Sequence, residues 1–421
     1  MSNLLINESD KFVKYKYSIA ELYIITDGVS EAFPLEKISG FKIENHFADA
    51  TFPIFRITLL MNELKYYDMI KYKDKVKFKL RIQCYQTDMD ETHKSMLKDV
   101  VNDIFVFFPE ESNANYDRGR KTKINEKKDP NKLENSDDKF DLFLFKDEIV
   151  NGIRSSMNAV LTNCTMTSAV TYLLGKAGVT ETLMSPFDND IIYPNIVLPP
   201  QSIESQLKYL NNNYGFHKEG TIIFFGLSHS YVIRCNGLCT AWLKNETRET
   251  VIYILEKNDS ASMASSNIQK HGDSRNYVST SIENINISES SASANVIGGL
   301  DADIVSVSNN KVDTVNFDSC TVGNVNKKVI FDDSSNMFMK SIYSSIQYSN
   351  TISISIVLED LNISAFNPNK AISIIFESSE LNMSHGGRYR ISSSIFTFSG
   401  PSSAMKVNGI LTLKKINNKI K

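Results

Sequence analysis

Residues 75–85, KVKFKLRIQCY, alternate apolar and polar side chains without a break. Val76, Phe78, Leu80, Ile82 and Cys84 fall on one side, and Lys75, Lys77, Lys79, Arg81, Gln83 and Tyr85 on the other. A period of two places successive side chains on opposite faces of a strand, so one face is dry and the other wet. A slip of one residue would turn the whole apolar set to water. Burying the large members contributes roughly 1.5–3 kcal/mol each, which fixes the register. Any fold for this chain must contain a sheet with a core on one side.

The same reading extends along the chain. Thr51 to Leu60, Val101 to Phe108 and Phe140 to Phe145 predict strands, with a helical turn over Asn62 to Met69. Near the C-terminus, Ile352, Ile354, Ile356 and Leu358 alternate with Ser and Thr. Ile372 to Phe376, Gly386 to Ile391, Ile395 to Phe398 and Val407 to Leu413 follow as strands. Both ends of the chain are therefore β-rich.

The middle differs. Thr167 is placed to cap a helix carrying Val170, Leu173, Leu174 and Ala177, ended by Gly178. Pro199-Pro200 ends an extended segment and opens a second helix, on which Ile203, Leu207 and Leu210 share a face. Gly215, within Tyr214-Gly215-Phe216, suits the residue after a helix where φ turns positive. Thr221 to Phe225 and Tyr231 to Ile233 predict a hairpin around Gly226 to Ser230. Ala241 to Leu255 predicts another, turning at Lys244 to Arg248. This is an α+β unit set between β segments.

Two stretches break the pattern. Residues 109–139 are charged, mixed in sign and nearly free of large apolar groups, so they cannot offset their ordering entropy. They are expected to be a mobile loop, or a clamp that orders on a partner. Residues 257–327 are rich in Ser and Asn, with apolar beats at Ile282, Ile285, Ile287, Ile304, Val305 and Val307. There we expect an irregular connection that returns the chain to the first barrel through irregular strands and a short helix near Ser291 to Val296, with a turn at Gly298-Gly299.

Composition narrows the function. The chain has 421 residues, enough for two to four domains, and a formal net charge of −3, which gives no electrostatic case for nucleic acid or membrane. No window approaches 18 apolar residues, and no membrane insertion is expected. The first residues lack the basic and apolar regions of a signal peptide. Five cysteines (Cys84, Cys164, Cys235, Cys239, Cys320) form no CxxC pair, so reduced thiols without a metal are expected. GxSxG, HExxH, Walker and GxGxxG patterns are absent. The six histidines stand far apart, and Ser228-His229-Ser230 lies on no strand–turn–helix elbow. No catalytic, cofactor or metal residues are assigned. Asp188 and Asp190 fit either a cation site or loop caps. The basic side of 75–85 fits either a solvated face or the border of a DNA-conducting lumen. The Met184 to Pro194 loop is long and apolar for a connection. Its Phe187, Ile191 and Tyr193 are candidate interface residues, or pack under the neighbouring hairpin.

The order Pro199-Pro200, YGF at 214–216 and the doubled aromatics at 224–225 resembles the central baseplate hub proteins of contractile-tailed bacteriophages. So do AFNPNKAISIIF (365–376), GGRYRI (386–391) and KVNGILTLKK (406–415). The hub module is shared with VgrG-type spikes, whose needle repeat has no counterpart after residue 413. The resemblance implies a mainly β fold with an α+β insertion, in which two related β-barrel hub domains come from discontinuous segments. It divides the chain into a first barrel domain (1–108), a charged loop and return strand (109–146), an α+β domain (147–256), the irregular connection (257–327) and a second barrel domain (328–421). It implies a structural virion protein of the tail baseplate, made in the host cytoplasm, acting as a homotrimer that adapts a sixfold tail tube to a threefold spike. Its implied partners are the tube or tube-initiator protein, a separate central spike and baseplate wedge proteins, with DNA passing through the lumen. The competing functions are a tail-associated cell-wall hydrolase and a receptor-binding tail module.

Overall fold

The computed structural model describes residues 11–47, 51–109, 137–234, 249–256, 265–288, 303–316 and 352–416, apart from isolated positions within them. The charged stretch at 110–136, the expected helix near 291–296, the Gly298-Gly299 turn and the expected turn at 244–248 lie outside these residues. In chain order, β1 (Lys11–Thr26), β2 (Val29–Ala32), β3 (Ile38–His46) and β4 (Ile54–Asn62) lead into α1 (Glu63–Lys71). After it come β5 (Val76–Asp88), β6 (Lys94–Pro109) and β7 (Asp137–Lys146). The central unit holds α2 (Asp147–Arg154), β8 (Ser156–Cys164), α3 (Met166–Lys176), β9 (Thr182–Met184), β10 (Tyr193–Ser202), α4 (Ile203–Tyr214), β11 (Thr221–Phe225) and β12 (Ser230–Arg234). Then follow β13 (Glu249–Leu255), β14 (Ser265–Gln269), β15 (Asn276–Ser281), β16 (Ile285–Ser288), β17 (Asp303–Ser308) and β18 (Lys311–Asn316). The chain finishes with β19 (Ser353–Leu358), β20 (Ala371–Phe376), α5 (Ser379–Ser384), β21 (Gly387–Ser399) and β22 (Lys406–Lys415).

The protein is mainly β, with an inserted α+β unit. One sheet runs β21-β20-β13-β15-β14-β1-β5-β6-β7-β4-β3 and returns to β21, a closed circuit of eleven strands. Two long strands make the circuit possible. β21 lies along β22 on one edge, while its other edge takes β20 at residues 387–389 and β3 at residues 393–398. β1 lies along β5 on one edge, and its other edge takes β14 at residues 11–13 and β2 at residues 23–26. Between those partners, Tyr17 and Met405 exchange backbone hydrogen bonds at 2.9 and 2.7 Å. Segments from both chain ends are thus knitted into one sheet. Beyond β22, β19 and β16 extend it.

The alternation in the sequence is the alternation of burial. Val76, Phe78, Leu80, Ile82 and Cys84 of β5 are buried, and so are Phe55, Ile57, Leu59 and Met61 of β4 and Phe140, Leu142 and Leu144 of β7. α1 begins where expected, capped by the Asn62 side chain, which accepts from Leu64 N at 2.7 Å.

Several expectations are corrected. Within 257–327 the expected return to the N-terminal strands is made by β14, which pairs with β1, but β14 and β15 are regular strands inside the main circuit. The signal was hidden because Asn267, Asn276, Ser279 and Ser281 are themselves buried, and alternation by hydrophobicity fails where both faces are covered. β13 is not half of a hairpin. Both of its edges are taken in parallel, by β15 and β20. Pro199 and Pro200 lie within β10, where the β8–β10 ladder shifts register between Leu198 and Gln201. Proline has no N–H to donate and collects at such bulges. Ser202 caps α4 instead, accepting from Ser205 N, and Thr165, not Thr167, caps α3. Gly215 has φ 68° and Gly178 φ 74°, as expected of residues that end helices.

Candidate assembly surface

The α+β unit is layered. β11 pairs antiparallel with β12, and β12 pairs parallel with β9. Ile222, Phe224, Tyr231 and Ile233 face the core of the main sheet, while Ile223, Phe225 and Val232 face a second core formed with α2, α3 and α4. A sheet covered on both sides explains why 221–225 is an unbroken apolar run. On the far side of the helices lies the β8–β10 ribbon. Its Ile196 and Leu198 join the second core, with Ala159 and Leu161 packed against it.

The candidate loop, residues 185–192, crosses one edge of this unit and is tied down by its own polar groups. Ser185 N donates to Val232 O, and Asp188 N donates to Phe216 O. Asp188 accepts from Arg234 Nη2 at 2.7 Å, and Asp190 accepts from Thr167 N at 2.9 Å at the start of α3. The two aspartates are thus an ion-pair partner and a helix-end acceptor, not a cation site. Among the described residues no cluster of His, Cys, Asp and Glu could hold a metal. His217, wholly buried, spans the loop from below. Its Nε2 lies 3.3 Å from Ser185 O and its Nδ1 3.0 Å from Thr221 Oγ1. A neutral ring donating from Nε2 and accepting at Nδ1 satisfies both. Burial holds its pKa down at about 4, with Arg234 and Arg390 lowering it further while Ser185 O and Asp188 pull the other way.

The structure separates the three candidate interface residues. Phe187 is only 7% exposed and stacks on Phe216 with ring centroids 4.8 Å apart. It is a core residue of the unit, the alternative the sequence left open. Its apolar character is used inside the unit, against Phe216 and His217. Tyr193 is half-buried and meets Tyr214 edge-on at 5.1 Å. Ile191 is exposed, together with Ile192. Sequence reasoning missed Val160 and Val197, which pair across the ribbon with both side chains outward. The available signal was the middle residue of two apolar triplets, Ala159-Val160-Leu161 and Ile196-Val197-Leu198, which a strand turns to the face opposite its neighbours.

Other chemistry is accounted for by internal partners. On the outer face of β5, Lys75 pairs with Asp27, Lys77 with Asp147, Lys79 with Glu21, and Arg81 with both Glu21 and Asp99. Cations so matched leave little positive field for phosphates, which favours the solvated-face reading. Burial pushes the Cys84 thiol up to about 11, the reverse of what a nucleophilic cysteine needs. A cavity of about 180 Å³ opens where β3, β6, β21 and the β11–β12 turn converge, lined by Phe47, Phe224, Phe366, Phe396, Asn45 and His229 among others. Asn45 donates to Ser394, and His229 lies 2.8 Å from Glu181. Among the described residues no helix is long and apolar enough to cross a membrane.

A family model described as Bacteriophage PBS1 gene 109 protein matches residues 2–416. The chain belongs to this bacteriophage family. No curated protein matches it. Among solved structures, a tail protein from Neisseria meningitidis MC58 is similar at 9% identity, with a TM-score of 0.48 over 96% of this chain and 97% of that one. The 43 kDa tail protein of prophage MuSo2 from Shewanella oneidensis is similar at 10% identity, with a TM-score of 0.41 over 93% and 96%. The E. coli c3393 protein, a type VI secretion component, is similar at 7% identity, with a TM-score of 0.41 over 91% and 74%. None of the three carries a function across to this family member.

Proposed function

We propose that this chain is a structural protein of a phage tail, the hub of its baseplate. In this reading three copies form a ring that continues a sixfold tail tube on one side and seats a threefold spike on the other. The observation that carries the reading is the knitting of the two chain ends. β1 and β3 from the N-terminal part are hydrogen-bonded to Met405 and β21 from the C-terminal part. The strands of the two chain ends, β1–β7 and β19–β22, then serve as two barrel-like parts of one sheet, bridged by β13, β14 and β15, with 147–234 as an outlying α+β unit. A threefold ring can meet a sixfold tube when each copy offers two similar docking surfaces. Membership of a bacteriophage family supports the setting.

The partners that follow are the tube or its initiator, a separate spike and the surrounding wedge proteins, with DNA crossing the central opening. The protein acts in the virion tail after synthesis in the host cytoplasm, by geometry and without catalysis. Sedimentation equilibrium of the purified chain tests the reading, with three chain masses as the expected result. A stable monomer at every concentration would remove it. Immunogold labelling of particles should mark the end of the tail tube.

A further inference from the structure

The cavity where the α+β unit meets the main sheet is aromatic inside and keeps one buried amide oxygen unused. We propose that it is a binding site for a single phenol ring, carried by a tyrosine side chain or by a small free phenol. The site lies within one copy of the chain and does not require a ring of copies.

The walls come from both bodies. The main sheet supplies Phe47 just after β3, Phe396 of β21 and Phe366 of the turn before β20, and the unit supplies Phe224 of β11. All four rings are buried. Phe47 and Phe224 meet edge-on across the joint, with centroids 4.6 Å apart. The volume is about 180 Å³. An apolar cavity of about 150 Å³ holds one benzene, so this one has room for a single six-membered ring with a small substituent.

The polar part of the lining selects the substituent. Asn45 is 9% exposed, and its Nδ2 donates to Ser394 Oγ at 3.0 Å, which fixes the amide. Its Oδ1 accepts from none of the described residues and is not closed off from the cavity. A buried acceptor without a donor is costly, and a ligand hydroxyl removes that cost. A hydroxyl donates and accepts, so it suits the amide in either orientation. The charged lining residues are Lys98 and Asp99, opposite in sign, and Asp99 already accepts from Arg81 and Gln83. His229 stands beside Glu181. With no excess charge and four rings around the space, the cavity suits a neutral aromatic body rather than a phosphate or a sugar. A ring held there touches the sheet and the unit together, so binding should brace one against the other.

The test uses the full chain and three probes, p-cresol, toluene and N-acetyl-L-tyrosinamide. p-Cresol should raise the melting temperature in a saturable way. It should bind at least about tenfold more tightly than toluene, which fills the same space but leaves Asn45 Oδ1 without a donor. N-acetyl-L-tyrosinamide that competes with p-cresol assigns the site to a tyrosine presented by another protein. p-Cresol binding without that competition assigns it to a free phenol. Val100 is half-buried in the same lining. Val100→Phe puts a ring of the chain's own into the cavity and should abolish p-cresol binding while the circular dichroism stays as in the wild type. If that chain does not fold, Ser364→Phe, at another lining position, takes its place. A wild type that p-cresol does not stabilise up to its solubility overturns the site, and so does p-cresol binding that persists in the folded Phe variant. Toluene bound as tightly as p-cresol overturns the part given to Asn45 and with it the choice of a phenol.

Discussion

The side-chain amide of Gln206 donates to the carbonyl of Pro199 at 2.8 Å, beside the break in the β8–β10 ladder. The same amide donates to Met157 O on the partner strand. A proline-containing bulge leaves carbonyls without ladder partners, and a buried carbonyl without a donor is costly. α4 supplies the donor from its inner face. Replacing Gln206 by Leu keeps the volume and removes the donor. The expected cost is about 1–3 kcal/mol, read as a lower urea midpoint. An unchanged midpoint would show that these carbonyls do not depend on Gln206.

Tyr17 joins the two ends of the chain through its hydroxyl. It donates to Leu361 O at 2.8 Å and accepts from Ile363 N at 2.9 Å, fully buried. Burial pushes its pKa well above the usual tyrosine value, so the proton stays in place across the physiological range. Tyr17→Phe leaves the ring packing against Phe398 intact and strands two backbone groups. The expected loss is about 1–3 kcal/mol, measured as a fall in the melting temperature of the full chain. A Phe variant that melts with the wild type would show that the clasp contributes nothing.

His217 makes stability depend on pH. Its folded pKa is about 4, against 6.5 for a free histidine, chiefly because it is buried. The unfolded chain therefore binds a proton between these values that the folded chain does not. The sign follows: this contribution is complete above pH 6.5 and is lost as pH falls toward 4. At about 1.4 kcal/mol per pH step the loss approaches about 3 kcal/mol. His217→Gln should flatten that part of the stability profile. A profile equally steep with Gln in place would assign the slope to other groups.

Phe187 and Tyr193 should separate in their effects. Phe187→Ala empties a stacked position in the second core and should cost about 3–5 kcal/mol. Tyr193→Ala removes a half-exposed ring touching Tyr214 and should cost less than half as much. Thermal unfolding of the two variants gives the order. A reversed order would return Phe187 to the surface.

Local pattern made much of the fold legible. The period of two in 75–85, 352–358 and 407–413 marks strands and their buried faces, because hydrophobicity and strand geometry share that period. The i, i+4, i+7 spacing of Ile203, Leu207 and Leu210 gives α4 and its inner face, and Gly215 gives its end. Of the candidate interface, the sequence located the loop but misjudged its members. Phe187 and Ile191 are equally apolar on paper, and only the fold puts one under Phe216 and the other in solvent.

By itself, then, the sequence determined a mainly β chain with an α+β unit in its middle and the inward side of each regular strand. It did not determine partners. That β13 lies between β15 and β20 in parallel, that β21 gives one edge to both β20 and β3, and that Ser- and Asn-rich β15 is buried were decided by tertiary structure. The physical reason is range. A strand's periodicity is set by its neighbours in sequence, but its hydrogen-bond partners are chosen by which distant strands together bury the most apolar surface and leave the fewest backbone groups unpaired.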